Sequence, residues 1–598
     1  MRRPLVVLTL VAGFLHGWGL FRGGTHYYYS AAVRSMSTNW SAFAFGAVDP
    51  ASSMTVDKLP GGLWIQALFV RVLGFHSWVL LLPGALAATA TVPLLFAAVR
   101  RWAGTRAGVI AAVVLLVSPV VFVTARVNLV DPLLVLCLVA AAYAMTRALE
   151  DHRWRWVAVA GVLVGAGFQI KMIEAWVVLP ALVAACLAGS GPRGWRATVL
   201  GGTATVVSLG WLVVAGFIPR GERPHVDGSR DDSWWEMVFG YNGLGRGLAG
   251  GGSPLSATAA PYGGAPGPLR LVDDQLGGQA GWLVPLALVL LAACWWTRRD
   301  DPLWTLWGGW LLTAALVLSF LPGLHPYYAT LLAPALAAVV GAGVPVAWAW
   351  WRDRSSLRWV LPLGGVLSAA GAVVVVTRAG GPGWLVGVVT VVVLGLVLGG
   401  PRREVAAAGT VVLLAGPVAW IAITPAVPPN SMHTANPVAG PQTAVAVFGV
   451  ADPRITLARI LGVPPTGPVP AIDAPLPGSD VDPDLLHHLQ ARRTGERFLF
   501  ATGDASTASP YLAAGYSVLP MGGFTGFSPY PELSEVAGLV QGGQLRFLYL
   551  TAVPGLPGVL GERAAWARSH CAPVPLRTPG GMTLFDCAGA SWHGRSRS

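Results

Sequence analysis

Apolar runs of roughly 18–25 residues recur along the first two-thirds of the chain, each long enough to cross a hydrocarbon layer as a helix. They lie near residues 4–20, 77–99, 107–124, 132–148, 155–170, 174–189, 197–217, 281–297, 303–321, 328–350, 358–377, 383–400 and 405–425, about thirteen spans in all. The polar connections between them alternate in character. "RRWAGTR", "RALEDHRWR", "GPRGWR", "TRRDD", "WRDRSSLR" and "PRRE" occupy every second connection. With Met1 cytoplasmic, all of these arginine-bearing segments fall on the cytoplasmic side, the bias that orients membrane proteins. The start, "MRRPLVVLTLVAGFLHGWGLF", reads as a retained first helix, because no convincing small-x-small cleavage site follows it.

The outer side then receives the loops 22–76 and 218–280, the short segments "ARVNLVD", "QIKMIE" and "PGLHPYY", and everything beyond about residue 426. Past the proline-rich connector "TPAVPPN" the composition becomes that of a soluble domain. "RFLFAT", "YSVLPMGG", "LRFLYLT" and "MTLFDC" predict strands, and "ASPYLAAG" and "ELSEVAGLVQGG" short helices. The expected fold is therefore a mainly α polytopic membrane domain over 1–425 and an extracytoplasmic soluble α/β domain over 426–598. The turn "TGDAS" reads as a helix cap or, alternatively, an anion site at a helix N-terminus. "WWEMVFGYNGLGRG" (234–247) reads as an amphipathic interfacial helix.

Composition agrees with this picture. Hydrophobic residues make up 54% of the chain and charged residues 11%, against about a quarter charged in soluble domains. A net charge of +12 would suit a nucleic-acid partner, but the arginines cluster between apolar runs and not along one face, so no nucleic acid is expected. Of the five cysteines, Cys137, Cys186 and Cys294 lie within apolar runs and read as packing residues. Cys571 and Cys587 lie in the outer domain, where a disulfide between them is expected.

An ionisable residue beside a membrane span is costly and marks function by default. Four groups collect on the outer side: Asp49 with Asp57 and Lys58; Asp131, opening the span in "ARVNLVDPLLVLCLV", with Arg126 just before it; Lys171 with Glu174; and His325 with Tyr327 and Tyr328. Each has a plain structural reading. Asp131 before Pro132 suits a helix cap, Lys171 and Glu174 suit an i, i+3 pair, and the tyrosines suit an interfacial belt. Lysine usage separates the readings. Of 40 Lys and Arg residues only Lys58 and Lys171 are lysine, and both fall on the outer side, against the positive-inside bias. A chain that otherwise writes its cations as arginine retains lysine where a compact point charge is needed, as at a phosphate in a tight site; the other reading is an ion pair of Asp57 with Lys58 that only fixes the loop.

The segments "THYYYSAAVRSMSTNWSAFAFGAVDPASSMTVDKLPGGLWIQALFVRVLGF", "NLVDPLLVLCLVAAAYAM", "GFQIKMIEAWVVLPAL", "GYNGLGR", "HPYYATLLAPALAA" and "PMGGFTGFSPYPELSEVAGLVQGGQLRFLYL" together resemble the GT-C membrane glycosyltransferases. The resemblance is to the family-39 type, which includes protein O-mannosyltransferases, lipid A aminoarabinose transferases and a bacterial mannosyltransferase-like branch. It covers nearly the whole chain. It implies an outward-facing active site and transfer of a sugar, a hexose such as mannose or a pentose, from a polyprenyl-phosphate donor to an acceptor hydroxyl with inversion. The acceptor would be a glycan, lipid or protein at the outer face of the cell membrane. By the match, "VDKLP" sets Asp57 and Lys58 near the donor phosphate, Asp131 is the acidic residue opening the fourth helix, and Lys171, His325 and Tyr327 fall on donor-contacting segments. Arg126 and Arg270 are further candidates for the phosphate. Asp57, Asp131 and Asp49 are candidates for the catalytic carboxylate, with His26, Tyr28, Glu174 and Asn242 in supporting or acceptor-side positions. One departure stands out. Relatives carry an acidic pair early in the first outer loop, where this chain reads "GGTHYYY". No cofactor is required by the scheme, and a divalent metal is possible but not expected. Two other readings stay open: a polytopic transporter, and a catalytically inactive scaffold that binds envelope glycans.

Overall fold

The computed structural model describes residues 2–190, 193–245, 263–381, 399–425, 432–441, 480–551, 558–576 and 582–589, with isolated positions between 388 and 395 and at 578. Most of the expected span at 383–400, the connector 426–430 and the stretch 246–262 of the loop 218–280 lie outside the described residues.

The membrane part is a bundle. Its elements are α1 (Arg2–Gly17), α2 (Tyr27–Thr38), α3 (Trp40–Phe45), α4 (Gly61–Leu73), α5 (Ser77–Leu116), α6 (Pro119–Thr124), α7 (Asp131–Asp151), α8 (Trp154–Lys171), α9 (Leu179–Ala188) and α10 (Arg193–Gly216). After the loop 218–280 follow α11 (Val284–Thr297), α12 (Pro302–Phe320), α13 (Ala333–Arg352), α14 (Val360–Arg378) and α15 (Arg403–Ile423). Among the described residues ten helical stretches are long and apolar enough to span a membrane. Two of them are paired spans. α5 breaks at Gly104 (φ 90°), beyond which Gly108 packs back on the Phe96 carbonyl. The stretch 154–188 turns at Met172 (φ 53°), which brings Ala175 against Gly167 and the Trp176 ring 4.7 Å from that of Phe168. With both divided, the stretches account for every expected span except 383–400.

The connections sort to opposite ends of the bundle. At one end Arg101 pairs with Glu150 (2.7 Å), Trp102 Nε1 donates to Asp301 (2.8 Å) and Arg196 donates to the His152 carbonyl. At the other end the first loop, the α6–α7 junction and the α8–α9 turn converge. Gly61 and Gly62 make that convergence close: a Cβ at either would lie 2.5 Å from the Gln169 carbonyl oxygen or from Val130 Cγ1.

The C-terminal part contains a five-stranded sheet of order β2-β1-β3-β5-β4, with β1 (Phe500–Thr502), β2 (Val518–Pro520), β3 (Phe547–Thr551), β4 (Ala572–Pro573) and β5 (Met582–Asp586). β1 pairs parallel with β2 and β3; β5 is antiparallel to β3, with Phe547 opposite Asp586. Helices α16 (Pro483–Ala491), α17 (Ala505–Ala514), α18 (Leu533–Gln541) and α19 (Gly558–His570) accompany it. The parallel half comes from two strand–helix–strand crossovers, through α17 and α18. Apolar runs such as "RFLFAT", covered on both faces, suit that arrangement. Asp504 caps α17 through the Thr507 amide (2.7 Å), so the "TGDAS" turn is a helix cap. Cys571 and Cys587 form a disulfide.

Candidate active site

At the convergent end, the loops 22–76 and 218–280 pair as a short β-bridge. The Thr55 amide donates to the His225 carbonyl (2.9 Å) and the His225 amide to that of Ser53 (3.0 Å). This register sets the segments holding Asp57 and Asp227 side by side. The Asp227 amide donates to Thr55 Oγ1 (3.1 Å), and the Tyr28 hydroxyl bridges the two acids, donating to Asp227 Oδ2 (2.9 Å) while accepting from the Asp57 amide (3.0 Å). Lys58 Nζ pairs with Asp57 Oδ1 at 2.9 Å and stands 5.1 Å over the Tyr29 ring. Asn242 Nδ2 donates to the Asp57 carbonyl (2.7 Å).

The second cluster adjoins the first. Asp131 opens α7 but does not cap it; its carboxylate instead meets Lys171 Nζ at 2.5 Å. Lys171 also pairs with Glu174 at 2.9 Å and stands 3.8 Å over the Tyr328 ring and 5.0 Å over that of Tyr327. Asp131 is 1% exposed and Lys171 5%, so this ion pair is fully interior. His325 stacks on Tyr327 at 5.1 Å and reaches Asn436 Oδ1 through Nδ1 at 3.2 Å. Asn128, one turn before Asp131, accepts from the His26 amide at 2.6 Å, and its carbonyl accepts from Gln66. The anchors of the first loop and of α7 are thereby shared.

Burial sets the electrostatics of the loop groups. Desolvation, and then the positive charge of Lys58, push the His26 imidazole down to about 3, so the ring is neutral at physiological pH. Burial, and then the charge of Asp57, push Asp227 up to about 7.

Other expected residues have different surroundings. Asp49 is buried and accepts from the Ser53 hydroxyl (2.7 Å) and from the Ser53 and Met54 amides, so its oxygens are used within its own turn. The Arg270 guanidinium is held by the carbonyls of Gly263 and Leu321. Arg126 is half-buried, with Phe122 4.9 Å from its guanidinium and no carboxylate within ion-pair distance among the described residues. The stretch expected as an interfacial helix is helical but packed inward: Trp234 is buried 4.6 Å from the Trp211 ring, and Glu236–Leu244 form a π-helix whose Gly243 abuts Ile173.

Comparison with known proteins fits this geometry. A family model described as "Dolichyl-phosphate-mannose-protein mannosyltransferase" matches residues 57–217, the segment that carries Asp57, Lys58, Asp131, Lys171 and Glu174. A second, for the C-terminal part of YkcB-like mannosyltransferases, matches residues 485–570. The Bacillus subtilis (strain 168) proteins YycA and YkcB, each described as a putative mannosyltransferase, are 29% and 27% identical to the chain. The YycA match covers 92% of this chain and 91% of that protein; the YkcB match covers 91% and 88%. ArnT from Cupriavidus metallidurans, solved bound to undecaprenyl phosphate, superposes with a TM-score of 0.54 at 15% identity, over 98% of this chain and 97% of that one. These matches agree with the resemblance to the GT-C membrane glycosyltransferases of the family-39 type, and the ArnT superposition shows a shared fold.

The site has a feature that reading the sequence missed. Asp227 lies beyond the matched segment, in "HVDGSRDDS", where it reads as one acid among several in a polar loop. Its Oδ2 also accepts from the Phe524 amide of the C-terminal part at 2.7 Å. Asn128 went unnoticed for the same reason: its partners are remote in sequence. Among the described residues no group of three or more His, Cys, Asp or Glu side chains could hold a metal ion.

Proposed function

We propose that the chain transfers a sugar from a polyprenyl-phosphate donor to an acceptor hydroxyl outside the cytoplasm, with its N-terminus cytoplasmic and its C-terminal domain on the outer face. The observation that carries this reading is the meeting of two carboxylate–lysine pairs, Asp57–Lys58 and Asp131–Lys171, from three separate connections at one end of the bundle. The lipid phosphate bound by ArnT supports the donor class by analogy of fold.

Asp57 is the base in this proposal. Its Oδ1 faces Lys58, and Oδ2 takes no hydrogen bond from the described residues. The carboxylate removes the acceptor hydroxyl proton as that oxygen attacks the anomeric carbon from the face opposite the phosphate. The anomeric C–O bond breaks with inversion and polyprenyl phosphate leaves. Lys58 and Arg126 are assigned to the phosphate, where localised positive charge stabilises the leaving group. Lys171 is assigned elsewhere: with two carboxylates on one ammonium its surroundings are net negative, which repels phosphate. Its role is to fix Asp131 and the aromatic wall of Tyr327 and Tyr328. Asp49 and Arg270 hold loops, and neutral His26 packs beside Tyr29. The transporter reading fits less well, because Asp131 and Lys171 stand at the first and last residues of their helices and not near mid-membrane.

The test is an assay in nanodiscs with radiolabelled polyprenyl-phosphate mannose, glucose, galactose or arabinose and an envelope extract. Release of polyprenyl phosphate coupled to a labelled acceptor, and lost in Asp57→Asn, is the expected result. Asp57→Asn at full activity alongside an inactive Asp131→Asn would move the base to Asp131.

A further inference from the structure

Most buried carboxylates in the outer loops are satisfied locally. Asp49 takes its hydrogen bonds from Ser53 and Met54, and Asp232 accepts from the Val226 amide and forms an ion pair with Arg223. Asp227 differs. Its Oδ1 accepts from the neighbouring Gly228 amide (2.7 Å), while Oδ2 accepts from the Tyr28 hydroxyl and the Phe524 amide, residues 199 positions before it and 297 after it. A carboxylate needed only to fold its own loop would not be bonded to two remote parts of the chain.

Both remote contacts are built for it. Tyr28 is buried, and its hydroxyl passes the connection on to the Asp57 amide. On the other side the loop after β2 approaches so closely that a Cβ on Gly523 (φ 67°) would fall 1.8 Å from Asp227 Oδ1. Glycine alone allows that backbone conformation and that approach. Phe524 then sets its ring 4.8 Å from Tyr28 and 6.3 Å from His26, covering the start of α2. The same face of the C-terminal domain is pinned by Tyr27 to Asp480 (2.9 Å) and by Arg34 to the Ala513 carbonyl (2.8 Å).

We propose that Asp227 is a positioning residue: it couples docking of the C-terminal domain, through Gly523 and Phe524, to the placement of Asp57, through Tyr28. The C-terminal domain is then part of the working site, because its undocking releases the carboxylate that holds Tyr28 in register. This deepens the transferase reading, on which its kinetic consequence rests; the mechanical link stands on the contacts alone.

Asn at 227 tests it without changing size. An amide offers one neutral acceptor oxygen where the carboxylate offers two charged ones, so either Gly228 or the Tyr28–Phe524 pair faces its NH2, and any bond that remains loses its charge assistance. The experiment is hydrogen–deuterium exchange by mass spectrometry on the full chain in nanodiscs, following the amides of Asp57 and Phe524. Asp227→Asn and Gly523→Ala are each expected to speed exchange at both amides by about tenfold or more. The double variant should be no worse than the more severe single one, since both cut the same link. Tyr28→Phe, which removes a single hydroxyl, should open the Asp57 amide and leave that of Phe524 protected. In the transfer assay all three should lower kcat by about tenfold or more while the donor KM moves by less than about threefold. The coupling is overturned if Asp227→Asn opens Phe524 and leaves Asp57 protected, if the effects of Asp227→Asn and Gly523→Ala add, or if Tyr28→Phe opens both amides or neither. Should the wild type transfer from no donor, the transferase reading fails while the exchange results still decide the coupling.

Discussion

Lys171 Nζ lies 2.5 Å from Asp131 Oδ1 and 2.9 Å from Glu174 Oε2, so one interior ammonium serves two carboxylates. Removing the ammonium strands both acids, whereas removing one acid leaves the other in place. Breaking a buried pair from one side costs about 3–5 kcal/mol. Lys171→Met is therefore expected to reach or exceed that range, and Asp131→Asn to fall clearly below it. Denaturation of the purified variants in detergent measures the order. Equal losses, or a milder Lys171→Met, would mean the three groups do not share one charge.

Lys58 gives the opposite balance of stability and activity. Its pair with Asp57 is partly open, with 14% of the lysine side chain exposed, so an arginine there should cost little in stability, about 1 kcal/mol or less. A guanidinium spreads its charge over a planar fork and does not reproduce a compact ammonium. Lys58→Arg is expected to lower kcat/KM for the lipid donor by about tenfold, a loss near 1.4 kcal/mol in the transition state, with the melting temperature almost unchanged. Wild-type turnover and donor affinity in this variant would remove the reason given for its lysine.

How far these residues could be read beforehand depends on the distance over which their partners lie. The spans were legible because their apolar length is local, and so were the strands of "RFLFAT" and "LRFLYLT". The two lysines stood out by composition alone. The partners of Asp49 were not legible, because the bonds that occupy it come from Ser53 and Met54, an ordinary turn that the sequence does not distinguish from an open carboxylate. Trp234 looked interfacial because an aromatic beside polar residues suits a membrane surface; the Trp211 and Phe45 rings that bury it belong to other segments. Asp227 could not be singled out at all. Its meaning comes from Tyr28 and Phe524, and no periodicity links positions so far apart.

Asp227 and His26 make opposing contributions to the pH dependence of stability. Asp227 is raised from 3.8 to about 7, and His26 is lowered from 6.5 to about 3. Between these limits the folded chain binds more protons at Asp227, and fewer at His26, than the unfolded chain does. The Asp227 contribution is thus complete below its unfolded value and lost as pH rises to about 7; the His26 contribution is complete above its unfolded value and lost as pH falls toward 3. The slopes offset each other in the raw curve, so the informative quantity is the stability of the wild type minus that of Asp227→Asn. That difference is expected to fall between about pH 5 and 7, by at most about 1.4 kcal/mol per unit, and to level off above. Unfolding in detergent at half-unit pH steps measures it, and a difference independent of pH would show that Asp227 is ionised throughout.

The disulfide tests both the C-terminal part and its side of the membrane. Cys571, at the end of α19, and Cys587, just after β5, close a segment of 16 residues beside Phe498, Leu548 and Phe585. A loop of that length is worth about 3 kcal/mol in the chain-entropy account. The Cys571→Ser/Cys587→Ser variant should therefore lose about 2–4 kcal/mol in unfolding of the C-terminal part, with the membrane bundle unaffected. Thiol counting reports the compartment. Cys137, Cys186 and Cys294 are free, so protein trapped with acid and denatured without reductant should take up maleimide at three of its five cysteines, and at all five after reduction. Five reactive thiols before reduction would mean that the domain folds in a reducing compartment. That result would reverse the proposed orientation and, with it, the side on which Asp57 meets its acceptor.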